Sequence, residues 1–516
     1  MNEKNRETLY NAITDLPDAR IEEALPPRKE PKNRGGRKAL LPLAACLAAA
    51  ALFGAWDHGL LGHGGAAGGG GTGEVYMSYA GPVFPLSALG DPDLTAERSV
   101  TFDFSPYAPH EETWETPEGQ TEQSTAWKSQ AVVTDSYTLT NRLDTEQTVT
   151  LLYPFAADLL SGQDLRPTLT VDGQAVETAL HIGPTAEGYK DLFTGDPEAA
   201  NAPWNLIDLM GWTSYRTILE AGYLDRTLAP VPALDQPVTV YRLTGCAPPA
   251  GYEGESFDLG VTYRPGARVL TWGFNAGFRD EETGAEGRGC VVSADGSDRT
   301  VPALIVLDGD LEDAEVRAYA PGRFETPLEG ASWTLTREET TLAQVLPAIA
   351  GESLANSWRY GDGASLLSAL TPAEYTDLAA RSLSDLGVLT GDPAQLYGAG
   401  MLEELLNSSD AADRVFYLSF DVTLPAKGTA EVSASMVKPA SLDFVGEHRD
   451  RNGYDLVTRL GSPLTFTAQT ASVTNLDWVE LTGQNFGFDP EAGLTTVTLD
   501  PDRAHYWLEV VRRGDG

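Results

Sequence analysis

The longest apolar stretch of the chain lies near its N-terminus, between Ala39 and Trp56. These residues include no charged side chain, and Pro42 and Gly54 are the only helix breakers among them. As an α-helix with a rise of about 1.5 Å per residue, the stretch is roughly 27 Å long, close to the roughly 30 Å thickness of a bilayer core. The pattern therefore predicts one transmembrane helix over residues 39–56.

The charges on either side of this stretch predict its orientation. Residues 26–38 contain six Lys or Arg and one Glu, whereas no Lys or Arg follows the stretch until Arg98. Basic flanks remain on the cytoplasmic side of a membrane. We therefore expect a single-pass protein of the cell membrane with a cytoplasmic segment at 1–38 and the C-terminal ectodomain outside.

Two alternatives to a permanent span stay open. Residues 43–46 resemble a lipoprotein cleavage box, which would make Cys46 a lipidated N-terminus. Ordinary signal-peptide cleavage after the apolar stretch would instead release the ectodomain. In either case, the glycine-rich sequence at 57–74 predicts a flexible linker to the ectodomain.

From about residue 75 the apolar positions alternate with polar ones, as expected for strands with one buried face. Three segments show two alternating runs around a short turn, and each predicts a β-hairpin. The segments cover 133–155, 259–274 and 416–436, with turns at 142–146, 264–266 and 425–428. In the third segment we expect Phe420 at the middle of the buried row. A further hairpin is predicted at Val171–Gln174.

Helical patterns interrupt the strands in two places. One predicted helix, or two short ones, lies near 204–224. In the second region, Thr371 and Glu374 form a capping-box pattern that predicts a helix continuing to about Leu389. The expected organisation is a β-rich ectodomain over 75–330, a mainly helical region over 331–413 and a C-terminal β domain over 414–516. Whether the β regions form one discontinuous sandwich or two stays open.

Two parts of the ectodomain resemble known proteins. Residues 136–155 and 417–436 resemble the membrane-proximal immunoglobulin-like sandwich in large uncharacterised ectodomains of Gram-positive single-span membrane proteins. The resemblance implies an immunoglobulin-like β-sandwich. The expected fold class is therefore mainly β with helical insertions (α+β), attached to a single transmembrane helix.

The N-terminal segment carries a second resemblance. Its apolar and acidic residues recur at helical spacing, and it is similar to the cytoplasmic segment of anti-sigma-factor-type membrane proteins. The matching positions are Leu9, Ala12, Ile13, Leu16, Asp18, Ile21, Glu23 and Ala24. The resemblance implies that residues 1–25 dock a cytoplasmic protein partner such as a sigma factor. The alternative is a juxtamembrane helix without a partner.

The charge of the chain bears on its partners, and its cysteine content bears on a possible disulfide. The chain has 36 Lys and Arg against 75 Asp and Glu, a formal net charge of −39. A surface with this negative charge repels nucleic acid, so no nucleic-acid partner is expected.

Cys246 and Cys290 are the only cysteines beyond the apolar stretch. They could form one disulfide that closes a loop of about 45 residues, or remain two free thiols.

The sequence motifs for catalysis or metal binding each lack a required residue or the required local structure. His110 begins an H-E-x-x sequence that lacks the second His. Ser435 and Lys438 match S-x-x-K, but residues three apart on a strand point to opposite faces. The acidic run that begins at Asp308 starts like a calcium loop and then lacks the required Gly and Glu, so only a looser calcium site stays open. The RGD tripeptide at 513–515 predicts no adhesion site by itself.

Three functions fit these patterns. The first is a membrane-anchored extracytoplasmic binding or sensor protein, which as a regulator would couple an envelope signal to a cytoplasmic partner. The second is an envelope adhesion or glycan-binding protein, which exposed Trp or Tyr platforms would favour. The third is a carboxylate-based hydrolase. The first is preferred, so the chain is expected not to be an enzyme. No catalytic, cofactor-binding or metal-binding residue is assigned, and the extracytoplasmic ligand is not identified.

Overall fold

A computed structural model describes most of the chain after residue 76. The described residues are 77–115, 121–186, 211–263, 267–279, 285–298, 300–311, 313–322, 324–356, 365–385, 387–389, 401–443 and 448–514. The predicted cytoplasmic segment, transmembrane helix and linker lie outside these ranges. Within them, no helix combines the length and the apolar character needed to cross a membrane.

The described residues form mostly strands. The strands are β1 (Met77–Ser78), β2 (Ser87–Ala88), β3 (Leu94–Asp103), β4 (His110–Glu115), β5 (Thr121–Ala126), β6 (Gln130–Asn141), β7 (Gln147–Ala157), β8 (Thr168–Val171), β9 (Gln174–Ala175), β10 (Ala179–Thr185), β11 (Pro237–Ala247), β12 (Ser256–Tyr263), β13 (Val269–Trp272), β14 (Ala276–Arg279), β15 (Glu286–Ser293), β16 (Ala303–Val306), β17 (Glu315–Tyr319), β18 (Ser332–Thr341), β19 (Arg414–Leu424), β20 (Thr429–Pro439), β21 (Ser441–Asp443), β22 (Arg451–Val457), β23 (Thr465–Thr474), β24 (Val479–Gln484), β25 (Thr496–Thr498) and β26 (His505–Arg512). The helices are α1 (Gly162–Leu165), α2 (Trp212–Glu220), α3 (Tyr223–Leu228), α4 (Leu342–Asn356), α5 (Pro372–Asp385) and α6 (Leu402–Ala411), with 3₁₀ turns at Ser105–Tyr107, Leu366–Ala369 and Leu476–Trp478. The prediction of a mainly β fold with helical insertions is confirmed.

The first sandwich has one wide layer opposed by two narrower sheets. The wide layer is a seven-stranded sheet in the order β25-β23-β3-β6-β20-β8-β9. Every second residue of its central strands is buried, so one face of the sheet covers the core. The sheets β10-β19-β7-β2 and β1-β21-β22-β26-β24 contribute side chains to the same core. Both therefore pack against the inner face of the wide sheet.

Three of the four predicted hairpins were wrong in their pairing, although their strands are present. β6 and β7 lie in opposite sheets, as do β19 and β20, and β12 and β13. In a hairpin, both apolar rows would lie on one face of the same sheet, and other strands would have to cover them. When the connection crosses between sheets, the two rows face each other across the core. The residues of the predicted inward rows, including Phe420, are buried.

The fourth predicted hairpin is confirmed. β8 and β9 pair directly, with Val171 opposite Gln174. Asp172 and Gly173 between them both have positive φ, as a two-residue hairpin turn requires. Two residues are too few to cross the roughly 10 Å between packed sheets, whereas the loops of four or five residues after β6 and β19 can do so.

The two connections that cross the first sandwich lie side by side. β6 pairs with β20 and β7 pairs with β19, each along eleven residues. The buried Asn141 amide joins their loops, because it donates to the carbonyl oxygens of Thr145 at 2.9 Å and Pro425 at 2.8 Å. The strands β1–β3, β6–β10 and β19–β26 thus form one discontinuous sandwich, and the boundary predicted at residue 414 separates strands that are hydrogen-bonded to each other.

A second sandwich is inserted between β10 and β19. Its sheets are β13-β16-β11-β18 and β14-β15-β12-β17, and their facing side chains form a separate core. Cys246 and Cys290 both pack in this core, and both are free thiols. Of the two alternatives for this pair, the structure therefore has the free thiols rather than the disulfide.

Helices α4, α5 and α6 pack on the face of the sheet β13-β16-β11-β18 that points away from the core of the second sandwich. β13 and β16 are buried on both faces, and Leu270 and Ile305 pack in the core that contains α4, α5 and α6. The capping box at Thr371 and Glu374 forms as predicted, but α5 ends at Asp385 rather than at Leu389. The region 331–413, predicted to be mainly helical, begins instead with a strand, β18, which pairs with β11. Its Trp333 and Leu335 pack against the core of the second sandwich. Near 204–224, the two short helices α2 and α3 are present in the described part.

We expect Phe420→Ala to lower the free energy of unfolding of the ectodomain, residues 75–516, by about 3–5 kcal/mol, because the substitution leaves a cavity in the core. Ser419→Ala, on the opposite face, should cost about 1 kcal/mol or less, the value of its hydrogen bond with His181. Urea denaturation of the ectodomain measures both. Equal, small effects would contradict the buried position of Phe420.

Candidate functional site

A group of aromatic side chains and one arginine reaches the surface at one end of the first sandwich. Trp127, directly after β5, is 40% exposed. Its ring stacks on that of Tyr107, with centroids 5.9 Å apart. The Arg512 guanidinium lies 4.9 Å from the ring centroid of Trp127 and 5.8 Å from that of Trp478. We call these four residues the Trp–Arg surface.

Hydrogen bonds fix the chain segments that carry this surface. The hydroxyls of Tyr107 and Tyr454 bond each other at 2.8 Å in the core, so the ring beneath Trp127 is anchored. Arg513 donates from its backbone N–H to the carbonyl oxygen of Trp478 at 2.9 Å, and Arg512 Nε donates to that of Tyr107 at 3.4 Å. The surface is therefore formed before any ligand binds, which lowers the entropic cost of binding.

A two-stranded ribbon projects beside the Trp–Arg surface. β4 and β5 pair along six residues from His110↔Ala126 to Glu115↔Thr121, and neither belongs to a larger sheet. The side chains of residues 110–113 and 121–125 are exposed, so the ribbon packs little apolar area. Two-stranded ribbons are marginally stable alone, and this one is held at its base, where Trp127 begins.

The chemistry of the Trp–Arg surface suits a ligand with both apolar faces and hydroxyl or carboxyl groups. Indole rings offer a large, rigid apolar face at low conformational cost, and a guanidinium donates several hydrogen bonds in a fixed plane. Cation–π contacts with the rings of Trp127 and Trp478 also hold the Arg512 guanidinium in place. Carbohydrates present this combination of an apolar ring face and peripheral hydroxyls.

A pair of carboxylates forms a second group, between the second sandwich and the helices. Glu352 on α4 accepts hydrogen bonds from Trp272 Nε1 at 3.1 Å and from Thr300 Oγ1. Glu403 on α6 accepts from the Gly273 backbone N–H, and its Oε2 is buried with no partner in the described residues. Burial, together with the nearby Glu352 charge, raises the pKa of Glu403 to about 7.

This pair has a chemical asymmetry. Glu352 accepts hydrogen bonds from two side chains, whereas burial favours the protonated form of Glu403. A buried carboxyl group whose pKa is raised toward neutral pH has the property that a general acid needs. The pair is therefore the part of the described chain on which the hydrolase hypothesis depends.

The S-x-x-K pair is separated as strand geometry requires. Ser435 is exposed, and Lys438 occupies an inward position of β20, where its Nζ donates to the Ala80 carbonyl oxygen. Burial lowers the pKa of Lys438 to about 8. The two side chains point to opposite faces, so they do not act together.

The other sequence motifs are engaged in structural contacts. In the run that resembles a calcium loop, Asp308 pairs with Arg268 at 2.8 Å and Asp310 pairs with Arg337 at 2.6 Å. His110 pairs with Glu112 at 3.0 Å on the ribbon. Arg513 donates to the Val479 carbonyl oxygen, and the rest of the RGD tripeptide includes residue 515, outside the described ranges. Over those ranges, no three His, Cys, Asp or Glu side chains are grouped to hold a metal ion.

The sequence did not reveal the Trp–Arg surface. Trp127 and Arg512 lie far apart in the chain, and neither belongs to a recognisable motif. The only available signal was the polar composition of 110–126, which does not fit a strand with a buried face. Pairing information from the fold was needed to bring Trp127, Trp478 and Arg512 together.

Comparisons with known proteins add little to this geometry. No protein-family model matches the sequence, and no curated protein matches it. The crystal structure of a putative nutrient binding protein from Legionella pneumophila aligns with 83% of this chain and 70% of its own, at 9% identity and a TM-score of 0.23. An overlap at this TM-score does not define a shared fold.

The raised pKa of Glu403 predicts a pH-dependent stability. An acid whose pKa is higher in the folded state stabilises the fold below its unfolded value, near 4.5, and this contribution is lost as the pH rises through about 7. We therefore expect the free energy of unfolding to fall more steeply from pH 5 to pH 8 in the wild type than in Glu403→Gln. The difference should reach at most about 3 kcal/mol.

Urea denaturation at several pH values measures this difference, with Glu480→Gln, which changes an exposed glutamate on β24 of the first sandwich, as the control. The control should follow the wild type. Asp410, whose pKa burial also raises to about 7, is present in all three proteins and cancels in the comparison. Parallel curves for the wild type and Glu403→Gln would show that Glu403 is ionised in the folded protein.

Proposed function

We propose that the protein is a membrane-anchored extracytoplasmic binding protein and that the Trp–Arg surface contacts its ligand. The observation that carries the proposal is the exposed Trp127, preorganised against Tyr107 and beside the held guanidinium of Arg512. Large aromatic side chains are costly to expose, and together with Arg they dominate the energetics of binding surfaces. A preorganised group of this kind at the surface favours a role in recognition.

Among ligand classes, this surface favours an envelope glycan. An exposed indole is the platform that distinguishes the glycan-binding or adhesion hypothesis from the general sensor hypothesis. The acidic character of the chain, with a net charge of −39, is compatible with a neutral glycan that binds by stacking and hydrogen bonding. The carboxylate pair Glu352 and Glu403 supports a hydrolase as a second candidate.

The anchor and the cytoplasmic segment complete the proposal. The apolar residues 39–56 would hold the protein in the membrane of a Gram-positive type of cell, with the linker 57–74 leading to the ectodomain. A regulatory role would add a cytoplasmic partner on residues 1–25. These parts of the proposal rest on sequence patterns alone.

We expect Trp127→Ala to weaken retention of the ectodomain on insoluble cell-wall glycan at least tenfold, because it removes the stacking face. Val301→Ala, which truncates a similarly exposed apolar residue of the second sandwich, should leave retention unchanged. Co-sedimentation at several glycan concentrations gives both apparent affinities. Wild-type retention equal to that of Trp127→Ala would remove the surface from the proposal.

Orientation is tested separately on intact cells. Protease added outside should degrade the bulk of the chain and leave a fragment of about 5 kDa that contains the N-terminus. An epitope tag at residue 1 identifies the fragment on an immunoblot. A full-length protein that survives the protease, in cells whose other surface proteins are digested, would contradict the predicted topology.

A further inference from the structure

A small cavity lies between α3, the extended segment after it, and α5. Its volume is about 150 Å³. The lining residues are Pro184, Arg226, Ala229, Pro230, Pro232, Arg381 and Asp385. A cavity of this size holds a ligand of roughly six non-hydrogen atoms. Three prolines form rigid apolar walls, and the remaining functional groups are two guanidiniums and one carboxylate.

The charges at the cavity are unbalanced. Arg226 pairs with Asp385 at 3.1 Å. Arg381 donates instead to the carbonyl oxygens of Arg226 and Ala229, at the C-terminal end of α3. No carboxylate of the described chain lies within ion-pair distance of Arg381. Among the described residues, the two guanidiniums of the cavity lining therefore share one carboxylate, Asp385, which pairs directly with Arg226 and interacts with Arg381 only at longer range.

A third guanidinium lies behind the wall. Arg414 is fully buried and donates to the carbonyl oxygen of Gly183, the residue before Pro184, at 3.0 Å. Its Nε has no partner in the described part of the protein. Arg414 acts electrostatically on Asp385 in the cavity lining and on the buried Asp410. Among the described residues, three guanidiniums therefore lie in and behind the cavity with these two carboxyl groups.

The position of Arg381 is set before a ligand arrives. Its guanidinium caps the last carbonyls of α3, where a cation is also favoured by the helix dipole. The planar fork retains further N–H donors, and this geometry matches a carboxylate in a bidentate pair. Arg226 is on the rim and can exchange Asp385 for another carboxylate without a change in helix position.

We propose that this cavity binds a small organic acid, with its carboxylate on Arg381 and Arg226 and its apolar part against the prolines. The site is separate from the Trp–Arg surface and does not depend on the glycan-binding proposal. Carboxylates of three or four carbons match the volume. Asp385 competes with such a ligand for Arg226, so the site is tuned to moderate affinity.

Isothermal titration of the full-length protein in detergent tests the proposal, with propionate as the probe, propionamide as its uncharged analogue and chloride as the ionic-strength control. We expect saturable binding of propionate with a dissociation constant on the order of 1 mM. Propionamide and chloride should give no saturable signal. Equal binding of propionate and propionamide would overturn the proposal.

Three variants refine the test. Arg381→Gln should weaken propionate binding at least tenfold, whereas Arg216→Gln, an exposed arginine on α2 paired with Glu220, should not change it. Asp385→Asn should strengthen binding about threefold, because it frees Arg226 without removing a cation. If Arg381→Gln does not fold, Asp385→Asn still decides the question, since unchanged or weaker binding there contradicts the proposed competition.

Discussion

The first sandwich depends on one buried ion pair. Arg98 on β3 donates from Nε and from one terminal nitrogen to the two carboxylate oxygens of Asp135 on β6, both at 2.9 Å, and neither side chain is exposed. Burying two charges costs several kcal/mol, which is offset only when the remaining donors are also satisfied. The remaining terminal nitrogen, Nη1, donates to the Val457 carbonyl oxygen at 2.6 Å, and Nη2, which also bonds Asp135, donates to that of Phe84 at 3.0 Å. The pair therefore joins the wide sheet to the two chain segments that face it.

Two tyrosines complete this network, Tyr137 on the same strand as Asp135 and Tyr153 on β7 in the opposing sheet. The hydroxyls of Tyr137 and Tyr153 donate to Asp135 at 2.7 and 3.0 Å, and the Leu86 N–H donates to Tyr137. Burial and the Asp135 charge raise the pKa of both hydroxyls, so they remain protonated donors. Because every member is bonded, the network specifies how the layers align, which an apolar core alone does less strictly. The sandwich built from distant parts of the sequence is aligned at this point.

How much the sequence could predict depends on the information that each pattern encodes. Alternation identified the strands and their buried rows, such as the row around Phe420, because that pattern is local. It could not decide whether two runs pair with each other or cross to opposite sheets, since both arrangements bury the same residues. Only the Asp172–Gly173 turn, with two residues, was too short to cross between sheets and therefore predicted a hairpin. Arg98 and Asp135 occupy inward positions of their strands, and a charged residue there gives no sign of its partner until the fold brings the strands together.

The candidate sites show the same division between local and long-range information. Trp127 and Arg512 come from distant parts of the chain. They meet because β26, which carries Arg512, pairs with β22, and the Tyr454 hydroxyl of β22 bonds that of Tyr107, on whose ring Trp127 stacks. The Trp–Arg surface therefore exists only in the completed first sandwich. Arg226 and Arg381, by contrast, are placed by α3, which precedes the inserted second sandwich in the chain, and by α5, which follows it. A change that loosens the helices would affect the cavity and leave the Trp–Arg surface intact, so the two sites are separable by mutation although one chain folds both.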